Sequence, residues 1–166
     1  MPKDWMRFSK RPAKEQMLLF HGYQKRMLGM FLEFPFEYGY IMGLGRLFYP
    51  IVKIRLKTTV GWREFEFLVD TGADITTVPS HLLPVLGLKK EQLTVNLTSG
   101  VGGITIRSWE FQIPIKIGQK EIIIHCSTVD SKNDTMPLLL GRKDIFEEKY
   151  NLLLDSKRKV TIISEN

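Results

Sequence analysis

The densest chemistry in the chain lies in five consecutive residues, Asp70-Thr71-Gly72-Ala73-Asp74, directly after the apolar run Phe65-Glu66-Phe67-Leu68-Val69. A carboxylate carried by the end of a strand onto a glycine-containing loop has two ordinary uses. It can accept a backbone N–H two residues on, making an Asx turn, or it can move protons as a general acid or base. The tripeptide alone does not choose between them, since average residue usage gives roughly a few per cent chance of finding it in a chain this long. Other reactive side chains are sparse. His21, His81 and His125 stand singly, and the one cysteine, Cys126, follows the apolar run Ile122–Ile124 as a packed small hydrophobe. No cysteine–histidine cluster has metal-binding spacing, so neither a metal nor another cofactor is expected.

The elements that must position Asp70 read as short strands. Val52, Ile54 and Leu56 alternate with Lys53, Arg55 and Lys57, the period of a half-buried strand. Gly61 marks a turn, and Phe65–Val69 runs as a second strand into Asp70. Pro79–Leu86 predicts a short helix after the loop. Leu93–Leu97 and Ile104–Trp109 predict a hairpin around the tip Ser99-Gly100-Val101-Gly102-Gly103. Phe111–Ile117 and Glu121–Ile124 form another pair around Gly118-Gln119. Pro137–Gly141 reads as a buried strand and Lys143–Lys149 as a short helix with Asp144 in its first turn. A last hairpin pairs Leu152–Leu154 with Val160–Ile163 across Asp155-Ser156-Lys157-Arg158. Many short strands without βαβ alternation predict an all-β, barrel-like fold with one or two short helices.

With these elements in place, Phe67-Leu68-Val69-Asp70-Thr71-Gly72-Ala73-Asp74 resembles the active-site segment of retropepsin-like, retroviral-type aspartic proteases. Two further segments resemble that family in order and spacing. Roughly 30 residues on, Gly100-Val101-Gly102-Gly103 is similar to its flap, and roughly 70 residues on, Leu138-Leu139-Leu140-Gly141-Arg142 is similar to the apolar–apolar–Gly segment behind the loop. Singly, each has a plain structural reading: an Asx turn, a tight hairpin, a piece of core. Those readings do not predict the order and spacing of all three.

The resemblance covers about residues 50–163 and implies a closed retropepsin barrel with a flap hairpin. It implies Asp70 as the catalytic carboxylate, with Thr71 bonding across to a partner loop and Gly72 giving the close approach and special backbone conformation. Ala73, Asp74, Gly100, Val101, Gly102, Gly103 and Leu139 are expected to line the substrate site. Val78 and Ile104 are expected to add apolar walls, and Asp74 and Arg142 to form a partly buried bidentate pair. No second Asp-Thr/Ser-Gly occurs: Asp130-Ser131 and Asp155-Ser156 are followed by lysine. A dyad therefore requires two chains, so the expectation is a homodimeric endopeptidase acting on peptide or protein. The alternative is a catalytically silent dimerisation or peptide-binding module on the same fold. The hairpin after Leu152 departs from viral members and is closer to cellular and microbial ones.

The chain divides unevenly in charge. Residues 1–46 hold eight Lys/Arg against four Asp/Glu, and the remaining 120 hold sixteen against fourteen. A nucleic-acid-binding surface on the domain is not indicated. Residues 1–26 are basic and polar, with at most a turn or two of helix at Glu15–Phe20. Residues 27–50 are rich in large apolar side chains, but Glu33, Pro35, Glu37 and Arg46 break the run short of the roughly 18–20 residues a spanning helix needs. No signal-peptide pattern fits either. Residues 1–46 are thus expected to be an extension, membrane-peripheral or dispensable, with Met42 as an alternative start, and 47–166 to be the domain. A cytoplasmic location is the expectation. The 43% hydrophobic and 25% charged content fits a folded globular chain rather than a disordered one.

Overall fold

The structure, a computed structural model, describes residues 31–99, 103, 105–130 and 136–166. The turn expected at Glu15–Phe20 lies outside them, as do Gly100, Val101, Gly102 and Ile104 of the flap.

Among the described residues twelve strands run in chain order: β1 Phe31–Pro35, β2 Glu37–Ile41, β3 Gly45–Tyr49, β4 Ile51–Thr58, β5 Gly61–Val69, β6 Thr76–Thr77, β7 Thr94–Ser99, β8 Thr105–Ile117, β9 Lys120–Val129, β10 Leu138–Leu140, β11 Tyr150–Asp155 and β12 Val160–Glu165. The main sheet has the order β4-β5-β10-β6-β9-β8-β7, and β4 also pairs with β8. That extra pairing closes six strands into a barrel and leaves β7 outside as the second strand of the flap hairpin. Closure removes sheet edges that would otherwise expose unpaired backbone.

The interior follows from the alternation in the sequence. Val52, Ile54 and Leu56 of β4 point inward and meet Phe67, Val69, Ile113, Ile115, Ile124 and Leu140 in one core. Lys53 and Lys57 point out. The sequence predicts a break near Glu110, but β8 runs unbroken for 13 residues. Its first half pairs with β7, Ser99 opposite Thr105, and its second with β9, Ile117 opposite Lys120. A change of partner along one strand reads in sequence as two strands.

Of the two expected helices, the first is present as a short 3-10 helix and the second is a run of hydrogen-bonded turns. Ser80–Leu82 is a single 3-10 turn, and residues 143–149 form successive turns in which both Ile145 N and Phe146 N donate to Arg142 O. Asp144, expected at a helix start, has φ 65°, a left-handed conformation that interrupts an α-helix.

Among the described residues β structure is already present at Phe31, ahead of the texture expected from Leu47. β1 pairs antiparallel with β12, Leu32 opposite Ile163, and β12 pairs with β11. Leu32 and Phe34 pack against the barrel core alongside Ile163 and Leu152. Arg158, in the β11–β12 turn, donates to both carboxylate oxygens of Glu33 at 2.6 and 2.5 Å. β2 and β3 form a separate two-stranded sheet. Among the described residues no helix is long and apolar enough to cross a membrane.

Candidate active site

β5 delivers Asp70 to its place, and two neighbouring segments hold it there. Val69 N donates to Pro50 O and Asp70 N to Leu140 O, both at 3.0 Å. β10 runs parallel to β5, Leu140 opposite Val69, so Asp70 continues the ladder by one bond before the chain turns away. In the loop, Ala73 N reaches Asp70 O at 3.2 Å, and Gly72 N donates to Asp70 Oδ1 at 2.9 Å. The Asx contact of the plainer reading is therefore present, and it aims the carboxylate. Among the described residues nothing else bonds the Asp70 side chain, which leaves Oδ2 available to water, substrate or a second carboxylate. Asp70 is half-buried, and Thr71 and Gly72 are exposed.

Gly72 is needed for a different reason from the one expected. It is not among the glycines with positive φ, so the loop does not require a left-handed residue there. A Cβ at Gly72 would instead sit 3.2 Å from Asp70 Oδ1, crowding the carboxylate that its own N–H positions. Gly141 is more tightly constrained. A Cβ there would meet the backbone of Ile75 at 2.4 and 2.6 Å and Thr76 N at 2.8 Å. The chain after β10 passes directly behind the Asp70 loop at that point, and Gly141 N faces Thr76 Oγ1 at 3.3 Å.

Past that crossing, Arg142 N donates to Ala73 O and Lys143 N to Asp74 O, at 3.1 and 2.8 Å. The Arg142 side chain divides its donors: one terminal nitrogen to Thr71 O at 2.6 Å, the other to Asp74 Oδ1 at 2.5 Å, and Nε to Glu147 at 3.5 Å. Asp74 and Arg142 thus meet, but through one carboxylate oxygen rather than two. Their side chains are 84% and 38% exposed in the protomer, so the expectation of a partly buried bidentate pair does not hold for Asp74. The guanidinium does span the loop, from Thr71 to Asp74.

The other expected site residues are spread about this loop. Leu139 is half-buried on β10, opposite Leu68 on one side and Thr77 on the other. Gly103 is exposed with φ 74° between the flap strands. Val78 is fully buried in the barrel core, so it cannot wall a pocket as expected.

The sequence reading missed a polar cluster nearby. His125, on β9, donates its backbone N to Asp144 Oδ2 at 2.7 Å, and its Nδ1 lies 2.8 Å from the same oxygen. Gln112 Nε2 is 2.6 Å from His125 Nε2. A proton on His125 Nδ1 lets the ring donate to Asp144. Burial pushes the Asp144 carboxyl up, but the two hydrogen bonds from His125 and the charges of His125 and Lys143 outweigh it and hold the group below its ordinary value. No periodicity flags this cluster, because Asp144 meets a residue 19 positions away on another strand. Cys126, adjacent on β9, is a buried free thiol whose pKa burial raises far above the ordinary range. Among the described residues no group of three or more His, Cys, Asp or Glu gathers as a metal site.

A closed six-stranded barrel with an Asp-Thr-Gly loop crossed from behind by a Leu-Gly segment is the architecture of the single-lobe acid proteases. The sequence profile described as retroviral aspartyl protease matches residues 49–154, and the chain belongs to that family. Among solved structures, a retropepsin-like aspartic protease from Rickettsia conorii superposes with a TM-score of 0.56 at 18% identity, covering 82% of this chain and 96% of that one. At that identity the likeness is one of fold. The EIAV protease complexed with the inhibitor HBY-793 aligns at a TM-score of 0.47 and 20% identity over 60% of this chain and 86% of that one. No curated protein matches the chain in sequence.

Proposed function

We propose that this protein is an aspartic endopeptidase whose working unit is a homodimer, with Asp70 of each protomer forming one catalytic dyad. The observation that carries the reading is the state of the Asp70 carboxylate. Its Oδ1 is aimed by Gly72 N, while Oδ2 has no partner among the described residues, at the open end of a loop fixed from behind by Leu140, Gly141 and Arg142.

Two such carboxylates about 3 Å apart cannot both ionise, a rule drawn from the aspartic proteases themselves. They share one proton and titrate as a unit. The ionised partner takes a proton from a bridging water, whose oxygen attacks the scissile carbonyl carbon. The protonated partner donates to the carbonyl oxygen, giving a neutral tetrahedral diol. In breakdown the protonated carboxyl gives its proton to the leaving nitrogen as the C–N bond breaks. The other carboxylate takes a proton from a diol hydroxyl as the product carboxylic acid forms, and the dyad again holds one proton. A single Asp-Thr-Gly per chain supports a two-fold axis through the site, as does the homodimeric habit of the family. In that arrangement Thr71, exposed in the single chain, bonds to the partner loop, and Leu139 lines the substrate site.

The test is digestion of a peptide library by the purified full-length protein between about pH 3 and pH 7, with Asp70→Asn as control. The expected result is cleavage between large apolar side chains, abolished in the variant while the fold and oligomeric state persist. A statine-type inhibitor, whose hydroxyl replaces the attacking water, should bind once per dimer. Hydrolysis by Asp70→Asn at the wild-type rate would remove the assignment.

A further inference from the structure

The β2–β3 hairpin takes no part in the barrel or in the β1-β12-β11 sheet, and its two strands pack mainly on each other. Its root is well anchored. Phe36 is buried, its N–H donates to Lys159 O at 2.8 Å, and its ring stacks on Phe48 with centroids 4.4 Å apart. The hairpin end has the opposite character. Tyr40, Met42 and Leu44 are 80%, 92% and 71% exposed, and Ile41 beside them is also exposed. Gly43 and Gly45, with φ 85° and 81°, make the turn. From Tyr38 to Gly45 there is no acidic or basic side chain. The nearest cation, Arg46, lies over the Tyr38 ring at 3.9 Å.

We propose that the Tyr40–Gly45 tip inserts into the interface of an anionic lipid bilayer, making the protein a peripheral membrane protein. Four large side chains exposed together at the end of a narrow arm match the interfacial mode of binding, in which apolar groups enter about 5–10 Å below the headgroups. A five-residue strand reaches roughly 17 Å, enough to hold the tip at that depth without immersing the barrel. Tyr38 and Tyr40 carry the apolar body and polar end that favour the water–lipid boundary.

Charge complements this arrangement. Arg46 sits at headgroup level, and the thirty residues preceding β1 hold seven Lys/Arg against two Asp/Glu, with Trp5 and Phe8 among them. Such a sequence is drawn to anionic lipid. A second copy of the chain is a poorer occupant. A narrow tip buries a few hundred Å² at most, against the roughly 1,200–2,000 Å² of a stable protein interface. The proposal does not depend on catalytic activity.

The experiment is flotation of the full-length protein with phosphatidylcholine vesicles, with and without phosphatidylglycerol. It compares wild type with the double variant Met42→Ser/Leu44→Ser, whose changes lie at solvent-exposed positions and leave the core intact. Wild type should float with the anionic vesicles and be released by high salt, since exposed charges are screened over a Debye length. The double variant should partition about tenfold less with an unchanged circular dichroism spectrum. Flotation of the variant equal to wild type would assign binding to the basic sequence alone and overturn the role of the tip. Wild type failing to float, or the variant changing oligomeric state instead of partitioning, would overturn the proposal as well.

Discussion

Two glycines flank the same carboxylate, and they bear different loads. Gly141 stands where the chain leaving β10 touches the backbone of Ile75, so any side chain must push main chain against main chain. Gly141→Ala is expected to lower stability by about 2 kcal/mol or more and to loosen the Asp70 loop. Thermal unfolding against wild type measures this, and an unchanged midpoint would show that the crossing gives way easily. Gly72 needs only to keep clear of Asp70 Oδ1. Sequence made both glycines visible, through the Asp-Thr-Gly and Leu-Leu-Leu-Gly contexts, but assigned Gly72 a backbone conformation it does not adopt. The close approach was legible and the reason was not, because a clash with a neighbouring side chain leaves no mark on local sequence. The Asp74–Arg142 contact was likewise legible as a pair but not in its exposure. An open pair of this kind contributes at most about 1 kcal/mol within the protomer.

At the scale of elements, the segment after Gly141 joins the active-site loop to β9. Arg142 holds the loop, and two residues later Asp144 holds His125 by backbone and ring. The Asp144 carboxyl is held below its ordinary value, so its contribution to stability is fully present above the unfolded-state pKa. It is lost as pH falls through the lower, folded-state one. Asp144→Asn should therefore be less stable than wild type at neutral pH, with the gap narrowing in strong acid. Urea unfolding at several pH values tests this, and a gap that widened as pH fell would contradict the sign. The sequence pattern placed β4, β5, β9 and the final hairpin, where alternation and turn residues agree. It failed at β8, at residues 143–149 and at β1. β1 is a short strand whose sheet partner among the described residues lies over a hundred residues later, beyond the reach of any local pattern.

At the scale of the whole molecule, the main sheet is a barrel closed by a contact that no sequence period announces, β4 against β8. Closure follows once six strands of this length must bury Val52, Leu56, Phe67, Ile115 and Leu140 together. The family and the loop were readable from three motifs in order. The placement of the N-terminal strands was not, since in β1 Leu32 and Phe34 lie opposite Ile163 and Thr161 at the far end of the chain. The barrel presents one Asp70 per protomer, so catalysis should belong to pairs of chains.

Mixing unfolded wild type with unfolded Asp70→Asn in varying proportion, refolding them together and measuring peptide hydrolysis at fixed total protein tests this most directly. If each dyad takes one carboxylate from each protomer, only wild-type pairs cleave. Activity then falls as the square of the wild-type fraction, to about a quarter at equal mixing. A linear fall, to about half at equal mixing, would mean that each chain works alone and would contradict the shared dyad.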